Sequence, residues 1–299
     1  MVPQRTFPLT PPRHFVIIVR EEVSVSLRVS ILASGSTGNS TLLETESTTI
    51  LIDAGLGRKE ICRRFGALGR PEPERVDGIL ITHEHSDHSS AVAQLARLWD
   101  CPAYLTEATH REIVKMYADD PEKPGRKATL ERLQYIQPGE RFQIGDIEVN
   151  AFAIPHDAVD PVGYAFRANG TKVVIVTDLG YLPELVKHHL READFLILES
   201  NHALDMLKTG PYPWHIKQRV MSRTGHLSNE IVGEFLGDAE LFDGRARHLV
   251  LAHLSEQNNN PHVARISAEE ALNRRPSDFA FRGTLHVASQ TIPLGPFEL

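Results

Sequence analysis

The segment DGILITHEHSDH, residues 77–88, indicates both the fold and the chemistry expected of this chain. Its apolar first half predicts a buried strand, and HEHSDH then places four potential metal ligands within six residues. In an extended segment, residues two apart point to the same side, so His83 and His85 can reach one metal ion together. Once the chain bends into the following helix, Asp87 and His88 can turn toward a second position. Imidazole and carboxylate suit Zn²⁺, Mn²⁺ or Fe²⁺, whereas a polar loop that only caps a helix does not need four such residues.

Three further ligand-type residues come at the ends of predicted strands. His156 follows IEVNAFAIP, Asp178 ends KVVIVTD and His253 ends HLVLAH. Ligands collect at the C-terminal ends of strands in sheet-based scaffolds, which favours metal binding over turn or capping roles for the three together. The whole set divides into His83, His85 and His156 for one ion, Asp87, His88 and His253 for the other, and Asp178 as a bridge between them.

Two divalent ions in one site need negative charge between them. Ions roughly 3.5–4 Å apart repel strongly unless anionic ligands intervene, and a bridging carboxylate and hydroxide supply that charge. The hydroxide is also the nucleophile, because metal binding lowers the pKa of water to roughly 7. The same ions can hold the oxygens of a phosphodiester, so the ligand set predicts a dinuclear hydrolase, with Asp87 counted among its catalytic residues.

These residues together resemble the metallo-β-lactamase superfamily, whose motifs occur here in the same order over essentially all of residues 28–299. The resemblance implies an α+β fold, a four-layer αβ/βα sandwich in which two mixed sheets pack together with helices on the outer faces. It places two divalent metal ions, Zn²⁺ or Mn²⁺, at the edge of the sheets. It also implies that Asp53, in LIDAG, is a catalytic-site residue that orients the ligands without binding a metal.

Within the superfamily the chain is similar to the YycJ (WalJ) group. The stretches that carry this similarity are SILASGSTGNS (30–40), ESNHALDMLKTGPYPWHIKQRV (199–220), TGHLSNE (224–230) and LAHLSEQNN (251–259). The similarity implies a metal-dependent 5′-to-3′ exonuclease on duplex DNA, so DNA is expected as the substrate ahead of RNA. Ala203 stands where an acidic residue is expected, which weakens the substrate-binding roles assigned to Asn201 and His202.

Some candidate residues are not needed as metal ligands. His226, in TGHLSNE, is expected to protonate the leaving oxygen as a general acid or to contact a phosphate, with packing or helix capping as the alternative. SGSTGNS (34–40) lacks the ending of a Walker loop and predicts a tight hairpin. From that hairpin, Ser36 and Asn39 can line the cleft and contact substrate.

Residues 201–226 hold four basic residues and one acid, a charge of 4 − 1 = +3 in a chain of net charge −7. Tyr212 and Trp214 lie among them. Such a stretch can grip a nucleic-acid backbone through Lys217 and Arg219 and stack on bases. A solvated amphipathic helix explains the same pattern equally well.

The remaining pattern predicts alternating strands and helices. Strands are predicted at 28–33, 41–46, 48–54, 77–83, 102–106, 147–155, 162–168, 172–178, 195–200 and 248–253, with one or two more in the last 20 residues. Helices are predicted at 57–67, 89–99, 107–118, 181–192, 213–223, 228–236 and 262–274, and a surface loop at 119–132. The strands fall into blocks 28–106 and 133–200, which predicts two packed sheets in one domain, 28–299, after a disordered extension, 1–27.

The composition excludes some classes of function. Two cysteines in 299 residues cannot form a disulfide framework, which fits a reducing cytoplasm. Apolar runs such as FVIIV, at 15–19, are too short to cross a bilayer, so no membrane association is expected. The charge of −7 argues against a broadly basic surface that coats nucleic acid, although 15 histidines favour a metal site.

Three alternative functions share this ligand pattern. A thioesterase of the glyoxalase II type and another small-molecule phosphodiesterase of the same fold would use the same ligands. A non-catalytic scaffold is disfavoured because the ligand set is intact. A β-lactamase is disfavoured because the thiol ligand of that branch and an export signal are both missing from the sequence.

Overall fold

Two mixed sheets of seven strands each form the centre of the computed structural model, which describes residues 27–118 and 129–299. The strands of the first sheet are β1 Arg28–Ala33, β2 Ser40–Glu44, β3 Thr49–Ile52, β4 Gly78–Leu80, β5 Ala103–Leu105, β6 Leu133–Tyr135 and β14 Leu294–Glu298. Those of the second are β7 Arg141–Ile144, β8 Ile147–Ala153, β9 Val162–Ala168, β10 Thr171–Val176, β11 Phe195–Glu199, β12 His248–Ala252 and β13 Thr284–Val287.

The two sheets have matching layouts. The first runs in the order β14-β1-β2-β3-β4-β5-β6 and the second in the order β13-β12-β11-β10-β9-β8-β7. In each sheet four strands pair in antiparallel fashion and the remaining pairs are parallel. The parallel strands β4, β10, β11 and β12 matter most for function, because they end close to the candidate site.

Helices cover the outer face of both sheets. The helices are α1 Arg58–Ala67, α2 Ser86–Ser89, α3 Val92–Trp99, α4 Glu107–Ala118, α5 Glu184–Leu190, α6 Leu204–Thr209, α7 Trp214–Val220, α8 Asn229–Gly237 and α9 Pro261–Asn273. Buried side chains of α1, α3 and α4 pack on the first sheet, and those of α5, α8 and α9 pack on the second. The four-layer αβ/βα sandwich implied by the family resemblance is therefore confirmed.

The apolar runs of the central strands are buried on both faces. In β10, Val173 and Ile175 lie in the core between the sheets, while Val174 and Val176 pack beneath the outer helices. Successive side chains of a strand point to opposite faces of the sheet. When both faces of the sheet are covered, each strand therefore needs an uninterrupted apolar sequence. This is why KVVIVTD and HLVLAH are continuous apolar runs that end in polar residues.

Several predicted elements differ in detail from those observed. The short strands β6 and β7 and the helices α2 and α6 were not predicted. Leu133–Tyr135 joins the first sheet, beside β5, although its position in the sequence suggested the second block. The helix predicted at 181–192 begins only at Glu184, because Pro183 has extended backbone and caps it. Residues 1–26 of the predicted extension and most of the predicted loop at 119–132 lie outside the described residues, whereas Leu27 is buried in the core between the sheets.

Over residues 27–118 and 129–299, no helix combines the length and the apolar character that crossing a membrane requires.

Candidate metal centre

Sharp turns at strand ends bring the candidate ligands together. Asp53 follows β3, Asp178 follows β10 and His253 follows β12, and all three have left-handed backbone with φ of 61°, 62° and 54°. Residues other than glycine rarely adopt this conformation, and such strain clusters at functional sites. Each turn changes the direction of the chain where its strand ends, and each of the three side chains is buried.

Three imidazole nitrogens converge to form the first ligand group. His85 Nδ1 lies 3.0 Å from His83 Nε2 and 3.3 Å from His156 Nε2. Three nitrogens bound tetrahedrally at about 2.0–2.1 Å from one Zn²⁺ would lie about 3.3 Å apart. The observed separations therefore fit a divalent metal ion, and the three residues are those predicted for the first ion.

The second ligand group contains Asp87, His88 and His253. Asp87 Oδ2 lies 3.4 Å from His88 Nε2 and 3.5 Å from His253 Nε2. The same set of residues could hold a metal ion, since their ligand atoms lie within 4.8 Å of one another. The structure thus brings together the three residues predicted for the second ion.

Asp178 lies between the two groups. Its Oδ2 is 3.2 Å from His88 Nε2, and its Oδ1 is 3.9 Å from His156 Nε2. Asp178 Oδ2 is buried and makes no hydrogen bond to a described residue, and its contact with His88 is an ion pair only while that histidine carries a proton. A buried carboxylate oxygen without a donor is costly, and a cation beside it removes that cost. The carboxylate therefore has the position and the free oxygen that a bridging ligand requires.

Asp53 fixes the orientation of His88. Asp53 Oδ2 lies 2.7 Å from His88 Nδ1, and Oδ1 accepts hydrogen bonds from the backbone N–H and the hydroxyl of Thr82 at 2.9 and 3.0 Å. A carboxylate on Nδ1 holds the histidine tautomer whose Nε2 lone pair is free to bind a metal. Asp53 thus lies where the predicted orienting role requires it.

Glu199 has the same relationship to two other histidines and was not predicted from the sequence. Its Oε1 lies 2.9 Å from His253 Nδ1 and 2.8 Å from His226 Nδ1. Its Oε2 accepts hydrogen bonds from the backbone N–H groups of Leu227 and Leu179. One sequence signal could have found it: Glu199 ends the apolar strand FLILE, just as Asp178 and His253 follow theirs.

The two ligand groups differ in protonation. Burial lowers the pKa of His83 well below its ordinary value, and burial also lowers the pKa of His156. Burial opposes the proton on His88 too, but the carboxylates of Asp178, Asp53 and Asp87 outweigh it and hold that pKa well above its ordinary value. His83 and His156 therefore present neutral imidazoles, which is the form that binds metals.

The carboxylates in and around the second ligand group stay ionised. Burial opposes ionisation of Glu199, but His226 and His253 lower its pKa to about 2. In the same way burial opposes the proton on His253, but Asp178, Asp87 and Glu199 raise its pKa to about 10. The site is thus a network of opposite charges in which Asp87, Asp178 and Glu199, whose pKa values are all lowered by the neighbouring histidines against the effect of burial, are available as acceptors.

A cleft of about 400 Å³ opens over both ligand groups. Ser36, Asn201 and Arg219, three of the residues predicted to contact substrate, line it together with His226. Arg219 forms an ion pair with Asp157 beside the first ligand group. The hairpin predicted for residues 34–40 joins β1 to β2 and brings Ser36 to the rim.

The other predicted substrate contacts are not supported by their positions. Lys217 is buried, and its ammonium donates to the carbonyl oxygens of Lys208 at 2.7 Å and Gly210 at 2.8 Å, so it is bound within the fold. His202 is 1% exposed, and neither of its ring nitrogens has a hydrogen-bond partner among the described residues. Asn39 lies deeper than predicted, with Nδ2 2.9 Å from His88 Nε2, so it contacts the metal centre instead of the cleft.

The sequence profile of the beta-lactamase superfamily domain matches residues 48–254. The chain therefore belongs to the metallo-β-lactamase superfamily. Within it, the chain is 37% identical over 251 residues to exodeoxyribonuclease YycJ of Bacillus anthracis, an alignment that covers 84% of this chain and 91% of the relative. It is also 37% identical over 243 residues to exodeoxyribonuclease WalJ of Streptococcus pneumoniae serotype 2, covering 81% of this chain and 87% of the relative. These identities place the chain in the YycJ/WalJ family.

Solved structures agree on the fold. The metallo-β-lactamase fold protein YhfI of Bacillus subtilis superposes with a TM-score of 0.63 at 18% identity, covering 90% of this chain and 99% of that one. Zn²⁺-bound PqqB of Methylobacterium extorquens superposes with a TM-score of 0.59 at 16% identity, covering 90% of this chain and 99% of that one. At these identities the likeness shows the fold alone.

Proposed function

We propose that this chain is a dinuclear metal-dependent hydrolase that cleaves the phosphodiester bonds of DNA, as a 5′-to-3′ exonuclease. The observation that carries the proposal is Asp178, a buried carboxylate within 4 Å of histidines of both ligand groups, namely His156 of the first and His88 of the second. The exodeoxyribonuclease names of the YycJ and WalJ relatives supply the substrate.

Seven residues would hold two divalent ions, Zn²⁺ or Mn²⁺. They are His83, His85 and His156 for one ion, Asp87, His88 and His253 for the other, and Asp178 between them. When bound, such a pair lowers the pKa of a water molecule and neutralises charge on the phosphodiester. The protein holds these ligands in fixed orientations through Asp53 and Glu199.

His226 is the residue that we assign to leaving-group protonation. Its Nδ1 is held by Glu199, and its side chain lines the cleft. A histidine oriented in this way presents Nε2 toward substrate, where it can donate a proton to the oxygen that departs from phosphorus. Asp87 and Asp178 are close to the same space but serve as ligands, so they are not available as acids.

The rim of the cleft supplies the contacts to the DNA strand. Arg219 is 57% exposed at its side chain, and Ser36 lies on the opposite hairpin. Arginine and hydroxyl groups are common donors to phosphate oxygens. In a chain of net charge −7, the metal ions and the 201–226 stretch provide the local positive charge that a DNA strand needs. We propose a cytoplasmic location because both cysteines are free thiols.

A panel of end-labelled nucleic acids tests the proposal. Single- and double-stranded DNA and RNA, labelled at either end, are incubated with the protein and Mn²⁺ or Zn²⁺, and the products are resolved by length. Stepwise release of nucleotides from the 5′ ends of DNA is expected. Turnover of S-lactoylglutathione without cleavage of any nucleic acid would instead identify a thioesterase.

A further inference from the structure

One wall of the cleft is apolar. Tyr212, Ile216 and Val220, from α7 and the turn before it, line this wall, and Met116 of α4 also contributes to the lining. The floor is formed by the histidines and carboxylates of the metal centre. Phosphates and sugars are polar and gain little from packing against an apolar wall. The face of a nucleobase, in contrast, packs well against such a surface.

The apolar wall is held rigidly. Pro211 and Pro213 flank Tyr212 and restrict its backbone to an extended form. The Lys217 ammonium holds α7 to the carbonyl oxygens of Lys208, in α6, and of Gly210, directly after that helix. This is the structural role of the lysine that the sequence suggested as a phosphate contact.

The far end of α7 is tied to the metal centre. Arg219 pairs with Asp157, whose Oδ1 is 3.3 Å from His156 Nε2. The carbonyl oxygen of Val220 accepts a hydrogen bond from the backbone N–H of His226 at 2.9 Å. The apolar wall and the catalytic floor are therefore fixed relative to each other, as preorganised recognition requires.

The size of the cleft decides how many bases can occupy it. A volume of about 400 Å³ lies at the lower end of the range of small-ligand sites, roughly 300–1,000 Å³. A volume of this order suits a single nucleotide. Enzymes that must reach a group inside a duplex take a nucleotide out of the stack and hold its base in a fitted pocket.

We propose that Tyr212, with Ile216 and Val220, holds the terminal base of the DNA substrate, which enters the cleft unpaired. This inference rests on the proposed DNA hydrolysis and adds the form in which the strand end is bound. Stacking on Tyr212 offsets part of the cost of breaking the terminal pair. The protein thus selects DNA ends that can fray, whatever the base sequence of the DNA.

Two duplexes that differ only in the terminal nucleotide test this inference. One has intact ends, and the other carries an abasic nucleotide at each end. Removing the base is expected to lower kcat/KM of the wild-type protein about tenfold, the scale of one lost base–aromatic stack. The Tyr212→Ala variant should cleave both duplexes equally and slowly, and Tyr212→Phe should retain the tenfold difference. Tyr135→Ala is the matched control, because Tyr135 is 51% exposed and lies on β6.

A tenfold difference that persists in Tyr212→Ala would overturn the proposal. A third duplex with one mismatched terminal pair should be cleaved faster than the paired one, and equal rates would refute entry in unpaired form. Binding of the same oligonucleotides in EDTA, measured by fluorescence anisotropy, separates the claim of a base site from the claim of DNA hydrolysis. If Tyr212→Ala abolishes base-dependent binding while the wild-type protein supplied with Mn²⁺ cleaves no DNA, the hydrolase is refuted and the base site is supported. Melting curves show whether each variant is folded.

Discussion

Glu199 Oε1 lies 2.9 Å from His253 Nδ1, and this contact links a buried carboxylate to a predicted metal ligand. The same oxygen lies 2.8 Å from Nδ1 of His226, so one carboxylate fixes both the ligand and the proposed general acid. Because each histidine donates through Nδ1, each presents Nε2 to the cleft. The orientation of His253 in the second ligand group therefore depends on Glu199, a residue outside the predicted ligand set.

Replacing Glu199 with glutamine should weaken metal binding. The amide is neutral, and its NH₂ group would face the backbone N–H groups from which the carboxylate now accepts hydrogen bonds. Loss of such an orienting partner typically costs about 10–100-fold in metal affinity or activity. Isothermal titration with Zn²⁺ measures the change. Glu184→Gln is the control, since Glu184 is on the surface and pairs with Lys187. Equal affinities of the two variants would contradict the role of Glu199.

Replacing His226 with asparagine should separate proton donation from metal binding. A missing general acid lowers kcat by about 10²–10⁴-fold when the leaving group needs a proton. DNA has such a leaving group, whereas the nitrophenolate of bis(p-nitrophenyl) phosphate leaves without one. The loss should therefore be large on DNA and small on the nitrophenyl ester, with metal content unchanged. Similar losses on both substrates would show that His226 is structural.

Gly55 determines where Asp87 lies. A Cβ atom at Gly55 would be 1.8 Å from the carbonyl oxygen of Asp87 and 2.7 Å from the backbone nitrogen of Asn39. Gly55→Ala must push the HEHSDH loop away, at a cost of about 1–3 kcal/mol in the free energy of unfolding. Denaturant unfolding and metal titration should both show a defect. A Cβ at Gly57 meets no described atom within 4 Å, so Gly57→Ala should behave as wild type. Equal behaviour of the two variants would refute this account.

Metal affinity should rise with pH, and the second ion should account for the rise. In the protein without metal, the raised pKa values of His88 and His253 keep both protonated near neutrality, and binding must displace those protons. Affinity then increases by about tenfold per pH unit for each proton released. Calorimetric titration with the metal at one pH, in buffers of different ionisation enthalpy, counts the protons released on binding. If metal binding released no protons, the assignment of His88 and His253 as ligands would be contradicted. His83 and His156 are neutral and are expected to release no protons.

The positions of the candidate ligands were predictable because each is a local feature of the sequence. HEHSDH follows a buried strand directly, and Asp178 and His253 each follow an apolar run, so position along the chain already placed them at a sheet edge. Two packed sheets with helices outside were predictable because the strands fall into two blocks, 28–106 and 133–200, each followed by helices. The four-layer fold followed from these patterns and from the family resemblance.

Other features depend on contacts that the sequence does not show. Glu199 is meaningful only beside His226 and His253, which come 27 and 54 residues later in the chain. Lys217 has the pattern of an exposed cation on a short helix, but α7 folds back onto the turn at Gly210 and buries the ammonium. Strand β6 has three residues, too few for an alternating pattern to be recognised.

Cleavage of 5′-labelled duplex DNA by the wild-type protein and by Asp178→Asn, both supplied with Mn²⁺, tests the central claim most directly. Asparagine preserves the shape of the side chain but removes the charge that lies between the two ligand groups. The wild type should shorten the DNA, and the variant should leave it intact while binding less metal. Equal cleavage by the two proteins would contradict a dinuclear centre bridged by Asp178.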